Sequence, residues 1–215
     1  MSDLASMRKG YTVGALDAAT LGNDPLAALE RWIVEAAEVG ALEPNAFALA
    51  SVAENGSPSL RFVLCKGVDA AGISFYTNLE SRKARELDGR GLAAATFWWD
   101  VLERQVRLEG VVARVPDTEA DAYFASRPKG SRVGAWASPQ SQVIAGREEL
   151  ERRAAEAEER FAGGGDVPRP PFWGGYRITP VRMEFWQGRE SRLHDRIAFE
   201  RDADGAPWRT VRLAP

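Results

Sequence analysis

Histidine and cysteine are almost missing from this chain: there is one of each, His194 and Cys65. A lone cysteine excludes an intrachain disulfide, and with a single histidine a zinc site of four nitrogen and sulfur ligands cannot be assembled within one chain. Long apolar runs are missing as well. No stretch approaches the roughly 18–20 residues of a membrane span, and the opening MSDLASMRKGYTVG lacks a signal-peptide core. Together these absences lead us to expect a cytoplasmic chain without membrane attachment. Net charge is small, −3, so no global field draws the molecule to nucleic acid, and any anion site must come from a local cluster. The phosphate-loop, dinucleotide-fold and nucleophile-elbow motifs are absent, and the glycines of FAGGGD at 161–166 run into proline-rich sequence, which reads as a loop.

What is present suits one well-cored domain. Hydrophobic residues make up 45% of the chain, enough for a substantial interior. Residues 1–20 are polar and unpatterned and read as a flexible arm, with a single domain over 21–215. In NDPLAALERWIVEAAEVG, Asp24 is the expected N-cap, Pro25 the first helical residue and Gly40 the stop. Strands follow: AFALASVA and SLRFVLCKGV around an Asn-Gly turn, then ISFYTN, LAAATFWW and RQVRLEGVVARV. YRITPVRMEFWQ, RLHDRIAFER and PWRTVRL come near the end of the chain. Helices are expected near 81–88, 117–126 and 146–161, the last one a solvated charged face. Tight turns between successive strands imply antiparallel pairing in a barrel or sandwich with attached helices.

Four clusters carry chemistry. Ser81 is the expected cap of a helix whose first turn holds Arg82 and Lys83, cations at the end where the dipole favours anions. They are either two solvated basic residues or half of a phosphate site. In RFVLCK, alternation sets Lys66 on the face of Leu60, Phe62 and Leu64, either snorkelling or charging a pocket mouth, with Arg61, Val63 and Cys65 opposite. In DAYFASRPKGS a helix is expected to end at Pro128, with Tyr123 and Arg127 four apart and Ser131 brought back by a Lys-Gly turn. They form either a second phosphate site or a cation complementing the helix C-terminus. Finally, if RLHDR is extended, Arg192, His194 and Arg196 share one face. Such crowding calls for an anionic or electron-rich ligand, unless this is an edge strand with solvated arginines. Seven tryptophans serve either as core or as platforms for a flat ligand.

Taken together, RFVLCK, FYTNLESRKA, LERQV, YFASRPKGSRVGAWASPQS, FWGGYR, EFWQG and RLHDR, in this order, resemble the pyridoxamine 5′-phosphate oxidase family across nearly the whole chain. The resemblance implies a split antiparallel β-barrel, a homodimer and FMN at the subunit interface. It also implies oxidation of pyridoxamine or pyridoxine 5′-phosphate to pyridoxal 5′-phosphate, with O₂ reduced to H₂O₂. Carried over by position, the flavin would meet Arg61, Phe62, Val63, Leu64, Cys65 and Lys66, together with Tyr76 and Thr77. Arg82 and Lys83 would hold its phosphate with Arg61. Gln105, Gln140, Ser141, Trp186 and Arg196 would complete that site, some from the partner subunit. The substrate phosphate would fall to Lys66, Tyr123, Arg127 and Ser131, with Arg192 and His194 over the ring as the catalytic pair and Arg8 and Tyr11 closing from the arm. Gly10 departs from the polar or acidic residue common before that tyrosine. The rival readings are a flavin- or deazaflavin-dependent reductase on the same barrel and a non-catalytic carrier.

Overall fold

A computed structural model describes residues 3–7 and 9–215. After a short helix α1 (Ala18–Leu21), helix α2 (Pro25–Glu38) starts where the chemistry dictates. The Asp24 carboxylate accepts the free N–H groups of Leu26 and Ala27, and Pro25 fills a first-turn position that needs no donor. Leu26, Leu29, Trp32 and Ala36 recur at helical spacing and are buried. Their stripe lies against the barrel, with Trp32 edge-on to Phe185 at 5.0 Å.

Among the described residues nine strands form one antiparallel sheet: β1 (Ala46–Val52), β2 (Pro58–Leu64), β3 (Gly67–Asp69), β4 (Gly72–Asn78), β5 (Leu92–Trp99), β6 (Arg104–Arg114), β7 (Trp173–Gln187), β8 (Asp195–Glu200) and β9 (Arg209–Arg212). The order is β2-β1-β5-β6-β7-β4-β3, with β8 and β9 added beside β7. β7 is the seam where the barrel splits. One of its edges bonds to β6, while the other bonds first to β4 over residues 173–178 and then to β8 over 182–187. Pro180, which has no N–H to offer a ladder, falls in the gap between them. At the same place β6 shifts register between Glu109 and Gly110. A Cβ on Gly110 would sit 2.2 Å from the Thr179 carbonyl oxygen, and one on Gly72, whose φ is +136°, 2.0 Å from that of Ile178. Only glycine lets β6 and β4 close on the bend.

Inside the barrel, Phe47 lies 5.2 Å from Phe97 and 5.8 Å from Phe75, and Phe75 stacks on Tyr176 at 5.8 Å. All four are essentially inaccessible, and truncating any one of the phenylalanines to alanine would cost about 3–5 kcal/mol. This is the split antiparallel barrel expected from the sequence, with α3 (Arg82–Arg90), α4 (Asp117–Ser126), α5 (Lys129–Ala137) and α6 (Arg147–Arg160) packed around it.

Two local readings are corrected. The Lys-Gly turn expected after Pro128 is the first turn of α5, so Ser131 sits on a helix. Proline forces the preceding Arg127 into extended backbone, ψ 147°, which ends α4, and then serves as the cap from which α5 starts. RLHDR is not one strand: β8 begins at Asp195, and Arg192 closes a 3₁₀ turn (Glu190–Arg192) with φ +64°. The chain must reverse between β7 and β8 within a few residues, and that reversal takes Arg192 and His194 out of the extended register. Among the described residues no helix is long and apolar enough to cross a membrane, and no cluster of metal-ligating side chains occurs.

Candidate active site

The site starts at the head of α3. Ser81 caps it as expected, accepting from the Ala84 N–H at 3.4 Å. Lys83 follows, turned inward and buried, with Nζ donating to Thr77 Oγ1 and Gln140 Oε1, both at 3.0 Å. Among the described residues no carboxylate pairs with it. Burial, and then the nearby Arg61 charge, hold its pKa down to about 8. Arg61 and Arg82 do have a counter-ion: the Glu86 carboxylate accepts from Arg61 Nη2 at 3.2 Å and from Arg82 Nε at 2.8 Å.

Lys83 lines a cavity of about 650 Å³ that also takes in the second cluster. Lys66, Tyr123, Arg127 and Ser131 all line it, as do Tyr76, Thr77, Gln140, Trp173 and residues 62–64. The volume is that of a small-molecule site. Tyr76, Tyr123 and Trp173 lie nearly parallel, with centroids 4.0 Å apart for the tyrosine pair and 5.5 Å for Tyr76 and Trp173. The Arg127 guanidinium lies over Trp173, 4.8 Å from its centroid, and among the described residues its buried Nη1 has no hydrogen-bond partner. Burial lowers the Arg127 pKa from its ordinary value, Tyr123 offsetting part of this. Among the described residues, a buried lysine without a carboxylate and an arginine with an unpaired donor thus line one cavity, a donor set able to take up an anion.

The remaining predicted residues gather elsewhere. Gln105 pairs in register with Trp98 on one side and Trp186 on the other, and Trp186 lies 4.6 Å from the His194 ring. Tyr11 packs edge-on against both Trp186 and His194, at 5.6 and 5.5 Å. His194 Nδ1 accepts the Arg189 backbone N–H at 3.1 Å, which requires that nitrogen to be unprotonated. Burial and then Arg192 lower its pKa, in the same sense. Arg196 is not free: it grips the buried Glu184 with two bonds of 2.9 and 3.0 Å. The arm is tied down by Glu103, whose Oε2 accepts the Thr12 and Val13 N–H groups at 2.8 and 3.0 Å. Arg8 lies outside the described residues.

One chain therefore holds the predicted residues in two separate places. Trp173 lines the cavity and Trp186 backs the histidine, thirteen residues apart on β7, or about 40 Å of extended strand. Arg61, Arg82 and Cys65 stand off the cavity wall, Cys65 being buried with its thiol pushed up to about 11 mainly by desolvation. Ser141 follows Gln140 with φ +69° and does not line the cavity either.

Comparison with known proteins identifies the family. Residues 33–161 match the family described as pyridoxamine 5′-phosphate oxidase, and residues 173–215 match the pyridoxine 5′-phosphate oxidase C-terminal dimerisation region. The chain belongs to the pyridoxamine 5′-phosphate oxidase family. It is an oxidoreductase of that family, and it carries the dimerisation region that goes with the expected homodimer. The pyridoxine/pyridoxamine 5′-phosphate oxidase of Rubrobacter xylanophilus is 53% identical over 99% of this chain and 97% of its own. That of Cupriavidus metallidurans is 51% identical over the full length of both. Among solved structures, PhzG from Burkholderia lata, in complex with tetrahydrophenazine-1-carboxylic acid, has a TM-score of 0.87 at 34% identity and covers 94% of this chain and 99% of its own. An FMN-binding protein related to the oxidases, from Nostoc punctiforme, shares the fold with a TM-score of 0.71 at 16% identity, covering 89% of this chain and 98% of its own.

Sequence reasoning missed three carboxylates in this oxidase: Glu86, Glu103 and Glu184, all buried. Glu86 was open to detection, since it lies one turn after Arg82 on the same helix face. Glu184 stood between Met183 and Phe185 on an apolar strand, where a charge needs a partner. Glu103 gave no local sign, because its partners are backbone groups of the distant arm.

Proposed function

We propose that the chain is a homodimeric FMN-dependent oxidase that converts pyridoxamine 5′-phosphate and pyridoxine 5′-phosphate to pyridoxal 5′-phosphate, with O₂ reduced to H₂O₂. The observation that carries this reading is the pair of anion-ready groups, Lys83 and Arg127, facing one cavity. Two phosphorylated partners, a flavin nucleotide and a phosphate ester, satisfy both. The cavity fits the flavin: Lys83, Thr77 and Gln140 would take its phosphate end, with Arg61 and Arg82 adding charge from behind. Bound FMN supplies the two-electron acceptor that the side chains of this protein lack.

The protein's own contribution is position and electrostatics. Lys66, Tyr123, Arg127 and Ser131 hold the substrate phosphate and so fix the distance of the ring from the flavin. Trp186, Arg192, His194 and Arg196 reach the same site from the partner subunit, because one chain holds them at the far end of β7. Arg192 orients the ring and stabilises negative charge that develops on it, while His194, kept neutral with Nδ1 accepting from Arg189, presents an Nε2–H donor. Tyr11, over His194, excludes water from that side. The apolar outer face of β2, with Leu60 68% and Phe62 76% exposed, is the surface a second copy would cover. The cytoplasmic location expected from the lone cysteine belongs to the same proposal.

PhzG offers a second reading, a tricyclic carboxylate as substrate. The higher identity to the phosphate-ester oxidases, and the Tyr123, Arg127 and Ser131 cluster, favour the ester. Anaerobic addition of pyridoxamine 5′-phosphate to the purified flavoprotein should bleach the flavin spectrum, and air should restore it with H₂O₂ released. Failure to take up FMN sinks the reading. Bleaching by tetrahydrophenazine-1-carboxylic acid alone transfers the chain to the second one, and bound flavin that never bleaches makes it a carrier.

A further inference from the structure

A carboxylate lies where an anion site would least tolerate one. Glu86 is on α3, one turn beyond Arg82, with its side chain only 5% exposed. It accepts from four donors: Ser51 Oγ at 2.6 Å, Ser59 Oγ at 2.5 Å, Arg82 Nε at 2.8 Å and Arg61 Nη2 at 3.2 Å. Burial on its own would raise its pKa, but these hydrogen bonds override that and hold it at about 2. The same serines also accept from Arg61, Ser51 at 2.5 Å from Nη1 and Ser59 from Nη2, and Nη1 reaches the Leu49 carbonyl as well. Arg61 comes from β2 and Arg82 from α3, so two strands and a helix are tied together through one carboxylate.

By charge alone this arrangement is perverse. Arg61, Arg82 and Lys83 crowd the N-terminus of a helix whose dipole already disfavours cations, and a negative group nearby weakens the pull on a phosphate. Geometry supplies the reason. Without a shared counter-ion the three cations repel and their long side chains disperse into solvent. With it, Arg82 is held through Nε while, among the described residues, its terminal nitrogens have no partner, and Arg61 stays beside Lys83 as a fixed charge. We infer that Glu86 is a positioning residue for phosphate recognition, holding Arg61 and Arg82 in the arrangement that delivers their charge to the flavin phosphate. This rests on the flavin reading of the cavity given above.

The two effects of Glu86 have opposite signs, which makes the inference testable. Apoprotein is titrated with FMN and with riboflavin, which lacks the phosphate, following quenching of flavin fluorescence. Wild type should bind FMN more tightly. If it shows no preference, the phosphate reading of the cavity fails whatever Glu86 does. Given that preference, Glu86→Gln should raise the FMN Kd by about 10–100-fold, the worth of one or two charge-assisted hydrogen bonds, and leave riboflavin within about twofold. Unchanged or tighter FMN binding would mean that only a repulsive charge had been removed, and the inference falls. A parallel loss for both ligands would make Glu86 merely structural, and it falls again. Should Glu86→Gln fail to fold, Ser59→Ala removes one tether of both Arg61 and Glu86. It should cost about 3–10-fold for FMN and nothing for riboflavin, and equal FMN affinity to wild type would overturn the inference.

Discussion

Flavin affinity should fall with rising pH, and Lys83 sets where. In the apoprotein its pKa is held down to about 8, against an ordinary 10.5, by burial and then by Arg61. A doubly charged phosphate beside Nζ favours the protonated lysine, so binding takes up a proton wherever apoprotein has lost it. If the phosphate restores the ordinary value, affinity is level below pH 8 and declines above it. At pH 9.5 about 30 apoprotein molecules have lost the proton for each that keeps it, whereas the complex is still mostly protonated. The FMN Kd should therefore rise about 30-fold between pH 7 and 9.5. Fluorescence titration of apoprotein across that range reads the effect directly, with riboflavin as the control that has no phosphate and Lys83→Met as the control that has no proton to take up. Both should be flat. An FMN affinity level to pH 9.5, or a riboflavin affinity that falls in parallel, refutes the reasoning. The same depression has a consequence for the apoprotein. The unfolded chain holds the Lys83 proton more tightly, so the contribution of this residue to stability rises as pH climbs from about 8 to 10.5.

Replacing Arg127 by Met should raise KM for pyridoxamine 5′-phosphate by about 10–100-fold while FMN titrates as in wild type, because the proposed function gives the lost guanidinium to the substrate phosphate. Steady-state kinetics and the flavin titration check the two halves separately. Leu60→Asp should weaken the dimer by about 100-fold or more, seen as monomer in sedimentation, since each copy of a symmetric interface would bury a charge in place of a leucine worth about 2 kcal/mol. In Glu103→Gln, exchange of the Thr12 and Val13 amide hydrogens should speed up by about 10–100-fold, the loss of hydrogen bonds to a charged acceptor, and unchanged exchange would show that the arm is held by other contacts.

Local chemistry was legible in the linear chain because it is decided within a few residues. Asp24 and Ser81 cap their helices, and the strands of the barrel alternate, for reasons present in ten-residue windows. The cationic clusters were legible too, since Arg82 and Lys83 break the dipole rule and Tyr123, Arg127 and Ser131 fall close together in the chain and line one cavity. Readings failed where the backbone had to accommodate a neighbour. Arg127 and Pro128 make one helix end and another begin, and the reversal after β7 lifts Arg192 and His194 out of the strand to which their spacing assigned them.

What the sequence determined unaided was the kind of molecule, an antiparallel barrel with helices, and the residue types that would face its ligands. Only the tertiary structure decided which cations have a carboxylate partner. Arg61 and Arg82 share Glu86, and Arg196 is held by Glu184, whereas Lys83 and Arg127 are left facing the cavity without a carboxylate. Arg82 and Glu86 are one helical turn apart, but Arg61 meets Glu86 from a strand twenty-five positions away and Arg196 meets Glu184 through the pairing of β8 with β7, and no short window of sequence contains those contacts.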